Sequence, residues 1–206
     1  MEEKSKMEQY KHHGRLSTKR ENNENRKNKN QLFQKRNIIL IIFAIIASAL
    51  LFLVSKSFFF IALFLLINLV FGLIAGSIGF SSIGVEVVTF STIMTGAAFG
   101  PGAGIFMGIA GRLIEAFSSK RIHSLVITLP LYAAVGFVAG ILGGAGTNIV
   151  LLGIIISIVY VIIAGFSAAL ILGARPGKAV MFSLASGVLN VLFFISIAPA
   201  VFKLMI

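Results

Sequence analysis

The chain has no cysteine, no tryptophan and no aspartate, and charged residues make up only 12% of its 206 residues. The absence of cysteine excludes disulfides, thiolate catalysis and cysteine-based metal sites. A soluble domain of this size carries about twice that charged fraction. With 57% hydrophobic residues, the composition is that of a protein whose main solvent is lipid rather than water.

The few charges are also unevenly distributed. Residues 1–36 hold eleven of the eighteen Lys and Arg residues and five of the seven acidic residues. The other 170 residues contain only two carboxylates, Glu86 and Glu115. No aqueous surface can be built from so few charges, so the region 37–206 is predicted to lie in a membrane.

The first 36 residues form a second, different region. This stretch is polar, rich in asparagine and almost free of aliphatic side chains, so it cannot bury a core and is predicted to be disordered. Its basic charge fits a cytoplasmic tail that anchors the topology and touches anionic lipid headgroups. The alternative is that the tail is an RNA-binding arm. Because the membrane role is the one we predict, no nucleic-acid partner is predicted for the protein.

Seven apolar runs follow the tail. A membrane helix needs roughly 20 apolar residues, so the third and fourth runs are short and are expected to form a tilted or re-entrant hairpin. The predicted fold is an all-α, polytopic transmembrane bundle of six to seven helices. The runs are 38–54, 58–78, 87–99, 103–117, one ending near 142, 149–172 and 179–201.

The loops between the runs predict the orientation. With the N-terminus in the cytoplasm, the basic loops at 120–121 and 175–178 fall inside, and only Lys56 and Lys203 fall outside. Positive charge is enriched on the cytoplasmic side of membrane proteins. We therefore expect a multi-pass protein of the cell membrane with a cytoplasmic N-terminus, whether the short hairpin crosses the bilayer or not.

Glycines recur at four-residue spacing in the apolar region. Gly100, Gly104 and Gly108 share one helix face by this spacing. The pattern recurs at Gly136, Gly140 and Gly144 on the fifth run and once, at positions 72 and 76, on the second. Small residues let transmembrane helices approach closely, because lipid gives no hydrophobic drive for helices to associate. The pattern indicates tight packing inside the chain, or a flat face that a partner helix uses.

Two charged residues stand in apolar surroundings. Arg112 and Glu115 lie three apart, which makes them neighbours on a helix. One interpretation is that they snorkel toward water and pair with each other. The other is a buried contact with substrate, with a partner subunit or with Glu86, which would then clasp the hairpin. We treat Glu86, Arg112 and Glu115 as a candidate intramembrane ion-pair set.

Catalytic and nucleotide-binding motifs are missing. The segment GARPGKA lacks the glycine spacing and the Ser or Thr of a Walker A loop, and neither HExxH nor GxSxG occurs. Two carboxylates are too few for a proton-pumping network. The sequence therefore predicts no enzyme, no cofactor, no metal site and no pump driven by its own ATPase.

The segment TGAAFGPGAGIFMGIAGRLIEAF, residues 95–117, resembles the hairpin of the substrate-binding S components of energy-coupling factor transporters. Gly100, Pro101, Gly104 and Gly108 match that pattern in place. The resemblance implies a membrane-embedded subunit that binds a vitamin or micronutrient. It also implies a transmembrane coupling subunit and separate cytoplasmic ATPases as partners, besides membrane lipid and the small-molecule solute.

The resemblance further implies that the solute contacts polar side chains within the runs, and the candidates are Thr92, Thr95, Asn148 and Asn190. The chain is also similar in hydrophobic layout to the rod-shape-determining membrane proteins, which use a glycine-rich hairpin as well. That similarity implies the alternative function, a non-transporting scaffold that recruits cell-envelope proteins through its glycine faces.

Overall fold

The computed structural model describes residues 55–78, 87–119, 122–171, 173 and 175–206. The predicted tail 1–36, the first apolar run 38–54, Glu86 and the basic pair at 120–121 lie outside the described residues. Within the described part every regular element is helical: a single 3-10 turn at Ile122–Ser124 and seven α-helices. These are α1 (Lys56–Ile78), α2 (Val87–Phe99), α3 (Pro101–Ser118), α4 (Leu125–Gly144), α5 (Ile149–Leu170), α6 (Pro176–Ser196) and α7 (Ala198–Met205).

Four of these helices, α1, α4, α5 and α6, are long and apolar enough to cross a membrane. Their outer faces expose large apolar side chains to the surroundings; Leu170, for example, is 81% exposed and Met181 is 74% exposed. Such a surface is stable only where the solvent is hydrocarbon. The chain is therefore an all-α membrane protein, as its composition predicts.

Helix α2 is short and lies at the centre of the bundle. Eleven of its thirteen residues are buried, because it packs against α1, α3, α4, α5, α6 and α7. At about 1.5 Å of rise per residue it is about 20 Å long, less than the hydrocarbon thickness of about 30 Å. The expected short hairpin is thus a buried central helix followed by a longer partner, α3.

The break between α2 and α3 occurs at Gly100 and Pro101. Gly100 has a φ of 92°, a conformation that glycine adopts without a steric penalty. Pro101 begins α3, where its missing N–H would have no helical partner. These two residues reverse the chain and make α2 and α3 an antiparallel pair.

The last apolar run differs from its prediction as a single span over 179–201. Helix α6 ends at Ser196, and the short α7 begins at Ala198. Pro199 lies in the first turn of α7. Proline has no backbone N–H to donate to the preceding turn, so the continuous hydrogen-bond ladder stops there.

Aromatic side chains join the outer helices to α2. The ring of Phe90 on α2 lies 6.2 Å from that of Phe64 on α1 and 5.1 Å from that of Phe194 on α6, measured between centroids. Edge and tilted ring contacts of this kind are favourable. They hold α6 against α2 on the side where Phe90 points.

Candidate functional site

Glycines join α2, α3 and α4 by backbone contact. A Cβ atom added to Gly108 would lie 2.5 Å from the carbonyl oxygen of Tyr132, and one added to Gly140 would lie 2.3 Å from the Cα atom of Pro101. The four-residue glycine pattern of α3 and α4 therefore serves contacts within this chain. Gly100 and Gly144 are different, because a Cβ atom at either position would meet nothing within 4 Å.

Arg112 links the end of α3 to the start of α4. It is only 8% exposed, and its Nε atom donates a hydrogen bond of 2.8 Å to Thr128 Oγ1. Its Nη2 atom donates to Ser124 Oγ, and its Nη1 atom forms an ion pair with Glu115. All three guanidinium nitrogens are therefore engaged, which favours a structural clasp between α3 and α4.

Glu115 completes this cluster. Besides its ion pair with Arg112, its carboxylate accepts a hydrogen bond of 3.1 Å from Ser119 Oγ. The predicted alternative, a tie between Arg112 and Glu86, involves a residue outside the described part of the chain. Because the negative charge of Glu115 balances the positive charge of Arg112, the cluster adds no net charge to the interior of the bundle.

The central helix α2 carries four hydroxyl side chains. Thr89, Ser91, Thr92 and Thr95 are all fully buried. Ser91 accepts a hydrogen bond of 3.1 Å from Asn68 Nδ2 of α1 and donates to Val88 O. In contrast, Thr92 Oγ1 and Thr95 Oγ1 have no hydrogen-bond partner in the described structure.

A chain of hydroxyls connects α2, α4 and α5. Tyr160 donates a hydrogen bond of 2.7 Å to the hydroxyl of Tyr132, which in turn lies 3.4 Å from Thr89 Oγ1. The two tyrosine rings are 4.9 Å apart between centroids, and both residues are only 3% exposed. This network is a buried polar contact between α5 and the helices α2 and α4.

The seam between α5 and α6 carries a second group of polar side chains. Asn190 is 1% exposed, and Ser157 and Ser186 are fully buried. Neither the two serine hydroxyls nor either amide atom of Asn190 has a hydrogen-bond partner among the described residues. Leaving such a group unpaired costs about 1–3 kcal/mol, so a seam with four unpaired polar atoms is unusual.

The register of α5 and α6 brings Ser157 and Asn190 to the same level. A Cβ atom at Gly153 would lie 2.0 Å from the ring of Phe194, and Ser183 Oγ donates a 3.3 Å hydrogen bond to Val161 O. The two helices are antiparallel. Ser157, one turn after Gly153, therefore lies opposite Asn190, one turn before Phe194.

The four sequence-predicted solute contacts do not form one cluster. Thr92 points toward α3, where its Cγ2 atom lies 3.2 Å from a Cβ position at Gly108, and Thr95 follows it by three residues. Asn190 lies on α6, which packs against the Phe90 side of α2. Residues two apart, such as Phe90 and Thr92, point to nearly opposite sides of a helix.

Asn148 has a different position and a different role. It is exposed, and its side-chain oxygen caps the N-terminus of α5 by accepting hydrogen bonds from Val150 N at 2.9 Å and Leu151 N at 3.4 Å. Asparagine is a preferred residue at this position because its oxygen satisfies otherwise unpaired N–H groups. Helix capping accounts for Asn148 without a solute.

Sequence reasoning did not single out Ser157 and Ser186. The available signal was spacing, since Ser157 follows Gly153 by four residues and Ser186 precedes Asn190 by four. This places each serine on one helix face with a residue that contacts the neighbouring helix.

No group of three or more His, Asp or Glu residues that could hold a metal ion occurs in the described part of the chain.

No protein-family model, no curated protein and no solved structure matches this chain.

Proposed function

We propose that this protein is the membrane-embedded substrate-binding subunit of a vitamin- or micronutrient-uptake transporter in the cell membrane. ATP hydrolysis would be supplied by separate cytoplasmic ATPases through a transmembrane coupling subunit. The resemblance of residues 95–117 to the S components of energy-coupling factor transporters motivates this proposal. The segment that carries the resemblance comprises the end of α2, which is the buried central helix, and nearly all of α3.

One observation carries the proposal: the bundle has an apolar exterior and an interior with unpaired polar atoms. Thr92, Thr95, Ser157, Ser186 and Asn190 are all at most 1% exposed and have no hydrogen-bond partner among the described residues. Polar side chains inside a membrane bundle either hydrogen-bond to neighbouring helices or serve a solute site. A solute bound beside Asn190, Ser157 and Ser186 would satisfy the unpaired atoms of α5 and α6 and offset the free-energy cost of burying them.

The orientation belongs to the same proposal. A cytoplasmic N-terminus follows from the distribution of basic loops in the sequence, and an uptake subunit would bind its solute from the opposite side. The basic tail would then lie on the side of the proposed ATPases. No catalytic role is part of the proposal.

The alternative is a non-transporting scaffold that recruits envelope proteins through glycine faces. The glycines at 72, 76, 96, 104, 108, 136 and 140 all face other atoms of this chain at distances that leave no room for a Cβ atom. A scaffold would therefore have to present other surfaces. This supports solute binding over recruitment of envelope proteins through glycine faces.

A ligand screen tests the proposal. The full chain, purified in detergent, is heated in the presence of single vitamins, nucleobases and divalent cations. A ligand present at 100 times its dissociation constant should raise the free energy of unfolding by about 2.7 kcal/mol. Stabilisation by one compound would support the uptake subunit. No stabilisation by any compound, together with specific recovery of envelope proteins on the immobilised chain, would favour the scaffold.

A further inference from the structure

Asn190, Ser157 and Ser186 hold four of the eight buried polar side-chain atoms that have no hydrogen-bond partner in the described structure. Their four unpaired atoms all lie on the two facing helices α5 and α6. The side chains of Phe193 and Phe194 contact the ring of Phe90 on α2 at centroid distances of 5.9 and 5.1 Å. Since Asn190 lies one turn before Phe194, it shares the helix face that is turned toward α2.

The tyrosine pair borders this group. Tyr160 lies three residues after Ser157 on α5, so the two share a face. Its hydroxyl is engaged with that of Tyr132. The group thus has an aromatic and hydroxyl wall on the α4 side and the phenylalanine rings on the α2 side. Buried apolar walls with a few convergent polar atoms are typical of small-molecule sites.

Charge is absent from this group. Arg112 is paired with Glu115 where α3 meets α4, and Lys56, Arg175 and Lys203 are exposed. A charged solute bound at Asn190 would be buried without a counter-ion from the described residues. Transfer of an unpaired ion into such surroundings costs far more than transfer of a neutral polar group.

The chemistry of Asn190 narrows the ligand further. Its carboxamide presents an acceptor oxygen beside two N–H donors, and each serine hydroxyl both donates and accepts. The natural complement is a planar edge that offers a donor next to an acceptor, as when asparagine reads the edge of a base by two hydrogen bonds.

We propose that Asn190, Ser157 and Ser186 form the polar part of a solute site for an uncharged ligand with adjacent donor and acceptor groups, such as a heterocyclic amide or a carboxamide. This inference rests on the proposed uptake function and names the class of solute. The proposed site does not include Thr92 and Thr95, which lie on the other side of α2, or the capping residue Asn148.

The test measures binding to the full chain in detergent with two sets of probes. The uncharged set is nicotinamide, uracil, adenine and riboflavin; the charged set is Ni²⁺, Co²⁺, biotin, pantothenate and thiamine. We expect stabilisation by at least one uncharged probe and by no charged probe. Binding of charged probes alone would overturn this inference and leave the proposed uptake function standing. Binding of no probe would count against both.

The variant Asn190→Leu locates the site. Leucine has nearly the same shape and no polar atoms, so the dissociation constant of the uncharged probe should rise at least about tenfold. The ligand-free protein should melt at the same temperature as the wild type or higher, because unpaired buried atoms are removed. A lower ligand-free melting temperature would show a structural partner for Asn190 and overturn the proposal, as would an unchanged dissociation constant.

Two further variants complete the design. Ser157→Ala is the smaller change, and it should also weaken binding while leaving the fold intact. Ser183→Ala is the matched control on α6, because that hydroxyl already donates to Val161 O and lies outside the proposed site. It should bind the probe as the wild type does; equal weakening by Ser183→Ala and Asn190→Leu would contradict the assigned position.

Discussion

Gly104 of α3 lies against the backbone of Gly136 of α4. A Cβ atom on Gly104 would stand 2.3 Å from the carbonyl oxygen of Gly136 and 2.8 Å from the Cα atom of Gly96 on α2. Three helices therefore meet at one point with no side chain between them. In lipid there is no hydrophobic driving force between helices. The van der Waals contact allowed by such close approach stabilises their association instead.

This contact predicts a large effect of Gly104→Ala. The added methyl group meets backbone atoms, which cannot rotate away, so we expect the free energy of unfolding to fall by about 1–3 kcal/mol. Thermal unfolding in detergent measures the effect. Gly102→Ala is the control on the same helix, since a Cβ atom there meets nothing within 4 Å. Similar losses in both variants would show that helix flexibility, rather than the three-helix contact, is responsible.

The Arg112 cluster predicts strong coupling between two charges. Arg112→Met should lower the free energy of unfolding by about 3 kcal/mol, because it leaves the Glu115 carboxylate without its partner in a poorly solvated place. The double variant Arg112→Met with Glu115→Gln should recover at least about 1 kcal/mol of that loss. A double-variant cycle by thermal unfolding measures the coupling. Additive effects would contradict the clasp between α3 and α4.

The contact between Gly153 and Phe194 predicts that a larger residue at 153 can be compensated by a smaller one at 194. In Gly153→Ala the methyl group would overlap the fully buried ring of Phe194, so we expect destabilisation by about 1–3 kcal/mol. Adding Phe194→Leu should restore part of the loss, because the smaller side chain makes room. Gly187→Ala is the control across the same seam, since its nearest neighbour would be Val161 Cγ1 at 3.9 Å. If the double variant lost more free energy of unfolding than the two single variants together, the observed register would be contradicted.

The orientation can be tested with single cysteines, because the natural chain has none. Ala145→Cys lies in the exposed turn between α4 and α5, and Gly177→Cys lies at the exposed start of α6. With a cytoplasmic N-terminus, a membrane-impermeant maleimide added to intact cells should label position 145 and leave position 177 unlabelled. Lysed cells provide the control, in which both positions should react. The reverse labelling pattern would contradict the orientation proposed here.

Local sequence is enough to predict much of the fold. A region of 170 residues with two carboxylates must use lipid as its solvent, and lipid requires helices that satisfy their own backbone. The apolar runs therefore predict α1, α4 and α5 closely, and Gly100 with Pro101 predicts the break in the hairpin. The capping role of Asn148 was also readable, since asparagine before an apolar run is a helix-start signal. The prediction of one span over 179–201 is wrong because Pro199 lies in the first turn of α7 and interrupts the helical hydrogen-bond ladder.

The candidate site depended on tertiary structure. Sequence spacing shows that Arg112 and Glu115 can meet, but only the placement of α4 brings Ser124 and Thr128 to the same guanidinium. Likewise, Thr92 and Asn190 look equivalent as buried polar residues in apolar runs, and it is the central position of α2 that separates them. Composition determines the solvent and the helices, because these depend on each residue's own transfer free energy and backbone hydrogen bonds. The partner of a buried polar atom is decided by how neighbouring helices rotate and where they touch, which no single stretch of sequence contains.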